Sequence, residues 1–211
     1  MISEILQEIR THLFSGDAGK VEELTKQALE TIPLRKVLDE ALIGGMAIVG
    51  EKFKNNQIYI PEVLIAARAM QAGMRIVEPL LVKEGIKPHG KVIMGTVKGD
   101  LHDIGKNLAV MMLKGAGFEV IDLGIDVPPE KFTEAVLREG AQVVGMSALL
   151  TTSMPSMKAT IKHLQSKGLD KKVKTMIGGA PVTQEYANEI GADGYGADAP
   201  SAVDLAKKFI G

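Results

Sequence analysis

One histidine flanked by carboxylates stands in the segment Val97-Lys98-Gly99-Asp100-Leu101-His102-Asp103-Ile104-Gly105-Lys106-Asn107. A neutral imidazole binds a metal through one ring nitrogen, and its other N–H needs an acceptor to fix tautomer and orientation. A carboxylate such as Asp100 does this while raising the basicity of the ligand. Gly105 leaves room for something bulky at the start of the helix that follows. The same residues permit a plainer reading, in which Asp100 or Asp103 caps that helix and His102 is merely on the surface. Spacing alone leaves both readings open.

Other chemistries fit the segment poorly. A P-loop ends in Gly-Lys-Ser or Gly-Lys-Thr, whereas Gly105-Lys106 is followed by Asn107. A dinucleotide fingerprint needs Gly-x-Gly-x-x-Gly, which Gly95, Gly99 and Gly105 do not make. A zinc site needs three or four ligands. His12, His89 and His163 fall in an N-terminal helical region, a linker and a helix, so none offers a second imidazole from a partner loop.

The elements that must position His102 can be read from texture. Residues 1–87 read as helices only. Ile2, Ile5, Leu6, Ile9 and Leu13 recur at helical spacing, and Ser15-Gly16-Asp17 breaks the pattern. Asp17 can cap a second helix to about Ile32, and Pro33 suits the first turn of a third, running to about Phe53. Asn55-Asn56-Gln57 is a turn. Pro61 opens a fourth helix with Val63, Leu64, Ala67, Met70, Met74 and Val77 on one side. Short links predict a four-helix bundle. Gly85–Gly90 reads as a linker.

Beyond it, strand-like runs at 91–97, 117–123, 142–147, 173–177 and 194–196 alternate with helical segments near 104–115, 129–139, 154–167, 182–189 and 199–210. This predicts an α/β domain over 91–211, a doubly wound five-stranded parallel sheet of Rossmann-like or flavodoxin-like type. Right-handed crossovers bring the β-to-α loops to one edge, where ligands bind. His102 lies in the first of those loops.

Composition narrows the function classes. The 211 residues are 45% hydrophobic, which suits a packed core, and the formal net charge of -1 offers no basic excess for phosphates. Aromatics make up 4% and tryptophan is absent, so base stacking is a poor basis for binding, and no nucleic-acid partner is expected. The absence of cysteine excludes disulfides, thiolate metal sites and a catalytic thiol, and is compatible with a reducing cytoplasm. The N-terminus lacks the apolar core of a signal peptide, and no run of about 18 apolar residues predicts a membrane span.

Asp100-x-His102-x-x-Gly105, within Gly99-Asp100-Leu101-His102-Asp103-Ile104-Gly105, resembles the cobalamin-binding signature of methionine synthase and of the corrinoid proteins of methyltransferase systems. The resemblance implies that His102 replaces the cofactor's own benzimidazole as lower ligand to cobalt, with the nucleotide tail buried in the sheet domain. It extends to Ser147-Ala148-Leu149-Leu150-Thr151-Thr152-Ser153, where Ser147 and Thr151 would contact the tail and Ser153 would complete a relay with Asp100 and His102. By itself that stretch reads as a helix-capping Ser/Thr cluster. Gly178-Gly179 resembles the family's Gly-Gly turn, whose alternative is a plain β-to-α turn. Ala197 matches a position near the tail.

In the helical half, Phe53 and Ile60, with Val63 close by, fall where the family covers the upper cobalt face. Without the family they read as core. The resemblance spans about residues 2–210. The departures are Ile60 where leucine is common and Thr152 where methionine synthase has proline.

The resemblance implies a stand-alone cobamide carrier that passes a methyl group on cobalt between partner proteins. Those partners are a substrate-specific methyltransferase, a second methyltransferase acting on tetrahydrofolate or a thiol, and a reductive activase. The same motif would also suit the cobalamin subunit of an adenosylcobalamin mutase, but the family's mutase modules lack this helical cap. A corrinoid-sensing regulator would need a DNA-binding element, and no helix-turn-helix or basic stripe is evident.

Overall fold

The computed structural model describes residues 3–211. Ile2, the first position of the N-terminal apolar pattern, lies outside the described residues. The chain divides into two compact units: the residues up to Lys87 together with Gly115–Gly117, and Pro88–Lys114 with Phe118–Gly211.

The first unit is helical. Helix α1 (Glu4–Ser15) buries Leu6, Ile9 and Leu13, and α2 (Ala18–Thr31) buries Val21, Leu24 and Ala28. Asp17 caps α2 by accepting from the Lys20 N–H at 3.0 Å. The third rod has three parts: α3 (Leu34–Lys36), a π-helical stretch over Val37–Ile43, and α4 (Gly44–Lys54). Pro33 is its N-cap rather than part of its first turn.

The π stretch has a local cause. The Gly44 N–H reaches back to the Asp39 carbonyl, five residues upstream. The Glu40 carbonyl, which an α-helix would pair with Gly44, instead accepts from Arg10 Nε of α1. A Cβ on Gly44 would stand 2.8 Å from the Arg10 guanidinium, so the glycine makes room for the inserted side chain.

Helix α5 (Ile60–Glu84) carries the buried side Val63, Ala66, Ala67, Ala69, Met70, Ala72, Gly73 and Val77. Glu62 accepts from the Tyr59 N–H at its start, and Pro79 is tolerated at an exposed position near its end. Leu64, expected on the apolar side, is 45% exposed. Small residues permit close packing here: a Cβ on Gly73 would strike Leu42 and Val21.

The second unit alternates strand and helix: β1 (Lys91–Thr96), α6 (Ile104–Gly115), β2 (Glu119–Asp122), α7 (Pro129–Glu139), β3 (Val143–Ser147), α8 (Pro155–Ser166), β4 (Lys174–Gly178), α9 (Gln184–Ile190), β5 (Gly194–Gly196) and α10 (Ala199–Ile210). Among the described residues these strands form a five-stranded, all-parallel sheet in the order β2-β1-β3-β4-β5. β1 and β3 are central and almost wholly buried, as helices on both faces require. Part of the core joins Ile93, Val144, Met146 and Ile177 of the sheet to Phe132, Met157, Ile161 and Leu164 of α7 and α8.

From β1 the chain steps to β2 on one side, and from β3 it steps to β4 on the other. The switch point of the topology therefore lies between β1 and β3, at their carboxyl ends. This is where open α/β sheets bind ligands.

Candidate functional site

The loop after β1 brings Asp100 to the switch point and buries it completely. Each of its carboxylate oxygens is engaged. Oδ1 accepts from the His102 N–H (3.1 Å) and faces His102 Nδ1 (2.7 Å). Oδ2 takes the Leu149 N–H (2.7 Å), the Leu150 N–H (3.2 Å) and the Ser153 hydroxyl (2.7 Å), all from the loop after β3. Burial on its own would raise the Asp100 pKa. The Ser153 hydroxyl, the Leu149 N–H and His102 outweigh it and hold the carboxyl well below the usual carboxylate range.

An ionised carboxylate only accepts, so the proton between the two side chains sits on His102 Nδ1. In the neutral imidazole Nε2 then carries the free lone pair. The His102 side chain is half exposed, and its carbonyl is tied to Thr96 Oγ1 of β1 (2.9 Å). A rigid imidazole with a bare Nε2 and a carboxylate behind it is the arrangement of a metal ligand. Among the described residues no group of three or more potential His, Cys, Asp or Glu ligands occurs, so this donor set suits a metal that brings its other ligands with it.

Capping does not explain Asp100 or Ser153. Asp100 directs its oxygens to His102 and the β3–α8 loop, not to the first turn of α6. Asp103 instead accepts from the Asn107 side chain (2.9 Å). Ser153 bonds Asp100 and the Leu150 carbonyl, and α8 has no side-chain cap.

The glycines divide into two kinds. A Cβ on Gly179, at φ +129°, would lie 1.8 Å from the Ala148 carbonyl oxygen, and one on Gly178 would lie 2.8 Å from that of Gly196. Packing between neighbouring chain segments therefore accounts for both. Gly105 is different. It sits in the first turn of α6 with nothing within 4 Å of a Cβ, so the fold does not require glycine there.

The surroundings of His102 are apolar and open. Leu101 (69%), Ile125, Leu149 and Leu150 on the loops after β1, β2 and β3, and Ile104 (74%) at the start of α6, are large exposed side chains. Such a patch marks a binding surface. Ser147, at the end of β3, is partly buried, while Thr151 and Ala197 are exposed.

In the helical unit, Phe53 is partly buried near the end of α4, and Ile60 is 40% exposed at the start of α5. Val63 is fully buried and has no surface to offer a ligand.

Two contributors escaped the sequence reading. Asp126, after β2, accepts from the Gly99 N–H (2.7 Å) and donates its own N–H to the Asp100 carbonyl (3.0 Å). Lys106 is buried and bonds Asp122 and Asn107, tying the first turn of α6 to the end of β2. The only signal for Asp126 was its place at the ligand edge of the sheet. A buried lysine cannot be told from an exposed one by type.

B12 binding domain families match residues 90–204 and residues 5–78. The chain belongs to the B12-binding family. A corrinoid protein of Desulfitobacterium hafniense is 40% identical over the full length of both chains. Dimethylamine corrinoid protein 3 of Methanosarcina acetivorans is 39% identical, covering 99% of this chain and 98% of its own. Among solved structures, a chain of the methanol:cobalamin methyltransferase complex of Methanosarcina barkeri is 31% identical with a TM-score of 0.87. The match covers all of this chain and 81% of that one. The corrinoid is thus the cofactor of this B12-binding chain. A macrocycle that supplies its own equatorial ligands suits a site that offers one imidazole, an apolar bed and space beside Gly105.

Proposed function

We propose that this protein is a methyl carrier, in which His102 Nε2 would hold the cobalt of a cobamide. One observation carries the reading: a half-exposed His102 whose Nδ1 is held by a buried, fully hydrogen-bonded Asp100 at the switch point of the sheet. When bound, the cofactor supplies a cobalt centre able to accept a methyl group from one partner's substrate and release it to another's.

The chain's own residues bind, orient and shield. Asp100 keeps the proton on Nδ1 and the lone pair on Nε2. Ser153 and the Leu149 N–H keep Asp100 ionised despite its burial. Leu101, Ile104, Leu149 and Leu150 offer an apolar bed around the ligand nitrogen. Ser147 and Gly178 at the ends of β3 and β4, with Thr151, Gly179 and Ala197 beyond strand ends, would take the nucleotide tail, and the family resemblance gives Phe53 and Ile60 of the helical unit the role of shielding the methyl group.

Partners divide the chemistry. A substrate-specific methyltransferase fits the methanol complex above. A second methyltransferase acting on tetrahydrofolate or a thiol, and a reductive activase, complete the cycle. A methylamine is a natural first donor to test, since relatives that are 38–41% identical bear the names dimethylamine and trimethylamine corrinoid protein. The absence of cysteine suits a cytoplasmic setting, and among the described residues no helix is long and apolar enough to cross a membrane.

The test is reconstitution with hydroxocobalamin, followed by methylation assays with candidate methyltransferases on methanol, methylamines and methoxyaromatics. The expected result is a coloured protein in stoichiometric complex that accepts methyl groups from one donor class. His102→Ala should retain the corrinoid but lose the spectrum of histidine ligation. A protein that stays colourless sinks the proposal.

A further inference from the structure

The relay through Asp100 depends on where the Gly99–Asp100 backbone is held, and one side chain on the opposite flank from Ser153 holds it. Asp126 takes the Gly99 N–H at 2.7 Å and returns its own N–H to the Asp100 carbonyl at 3.0 Å. These two bonds grip the backbone on either side of the Asp100 nitrogen. The strand beside them is paired as well: the Val127 N–H donates to the Thr96 carbonyl, and the Thr96 N–H to that of Gly124.

Asp126 adopts φ +52°, a left-handed conformation that costs most residues energy and is tolerated best by glycine, asparagine and aspartate. The residue is exposed, so packing does not explain it. Glycine would relieve the backbone but supply no acceptor to Gly99. Aspartate meets both requirements. Sparsely populated backbone conformations of this kind collect at functional sites.

We propose that Asp126 is a positioning residue for the cobalt ligand. It fixes the Gly99–Asp100 backbone so that one carboxylate can meet His102 on one side and Ser153 with Leu149 on the other. It thereby sets how firmly His102 holds cobalt. The inference rests on the corrinoid reading above.

The test compares full-length wild type, Asp126→Gly, Asp126→Asn and His102→Ala, each carrying nitrogen-15-labelled histidine and loaded with cob(II)alamin. Nitrogen coupling in the electron paramagnetic resonance spectrum reports the fraction of cobalt bound to histidine. Glycine accepts the backbone angle at an exposed position, so Asp126→Gly should fold. Its ratio of histidine-on to histidine-off cobalt should drop about three- to tenfold, the size of effect expected from one lost hydrogen bond. Asp126→Asn keeps an acceptor oxygen and the left-handed preference, and should match wild type.

A second readout needs no corrinoid. Amide exchange at Gly99 in the apo protein should quicken about fivefold in Asp126→Gly and stay unchanged in Asp126→Asn. The proposal is overturned if Asp126→Gly keeps the wild-type ligation ratio, if Asp126→Asn shifts as far as Asp126→Gly, or if Asp126→Gly does not fold. A wild type without histidine coupling would instead overturn the ligand assignment to His102.

Discussion

Asp100 is the residue on which the site turns, because it is buried, charged and fully used. Replacing it with asparagine introduces a donor where only acceptors fit. Asp100→Asn should therefore destabilise the apo protein by about 1–3 kcal/mol, measured by urea unfolding. The pH dependence has a definite sign. A carboxyl whose folded pKa is depressed adds stability above its unfolded value, and loses it as pH falls through the folded one. Wild-type stability should thus begin to fall near about pH 4, and Asp100→Asn should show a shallower decline over that range. Equal slopes in the two proteins would refute the assignment. Gly105 makes the opposite case. Gly105→Ala adds a helix-favouring methyl in open space, so apo stability should stay level or rise by up to about 1 kcal/mol. On the proposed reading corrinoid affinity should drop, because the methyl would take space that the macrocycle needs. Titration with hydroxocobalamin beside a thermal melt separates the two effects.

At the scale of elements, the π-helical stretch over Val37–Ile43 is set by a contact thirty residues away in sequence. Alanine is ordinarily the better helix former, yet Gly44→Ala should destabilise the protein because its Cβ meets the Arg10 guanidinium. Arg10→Ala should cost about 1–3 kcal/mol by leaving the Glu40 carbonyl without its donor. Chemical denaturation of both variants is the check, and a neutral Gly44→Ala would refute this account of the helix. The contrast shows what a sequence discloses. Strand and helix positions in the second unit were legible to within a few residues, because apolar runs and turn residues act locally. The π stretch was not, since Arg10 looks like any surface arginine until it reaches Glu40. Asp126 was hidden for the same reason, as its partners come from a different strand's loop. Leu64 fits the apolar period of α5 yet faces solvent, because periodicity marks a side of a helix and not how much of that side is covered.

At the scale of the molecule, the chain is two units, and apart from Gly115–Gly117 their division falls between Lys87 and Pro88. Both flanking residues are exposed. Limited digestion with a glutamate-specific protease should therefore cut early at the exposed Glu84, just before this division, and leave two fragments that keep their helical and mixed α/β circular dichroism. Early cleavage elsewhere, or loss of structure in both fragments, would argue against independent cores. The motif at residues 99–105 lies at the edge of the sheet that its place after β1 implied, because right-handed crossovers leave the loop after β1 only one place to go. The strand order that makes this edge a switch point was not legible, since nothing local in β2 or β3 states which side of β1 it joins.

The exposed side chains around His102 carry a cost for the cell. Leu101, Ile104, Ile125, Leu149 and Leu150 form an exposed apolar edge of the kind that other proteins stick to. If the proposed corrinoid covers this edge, cofactor supply should affect solubility as well as activity. Under cobalt starvation, newly made chains would be the ones that clump, bind chaperones and reach the proteases first. Loading would convert them into a lasting pool, so the abundance of this carrier should follow corrinoid availability even when its transcription does not change.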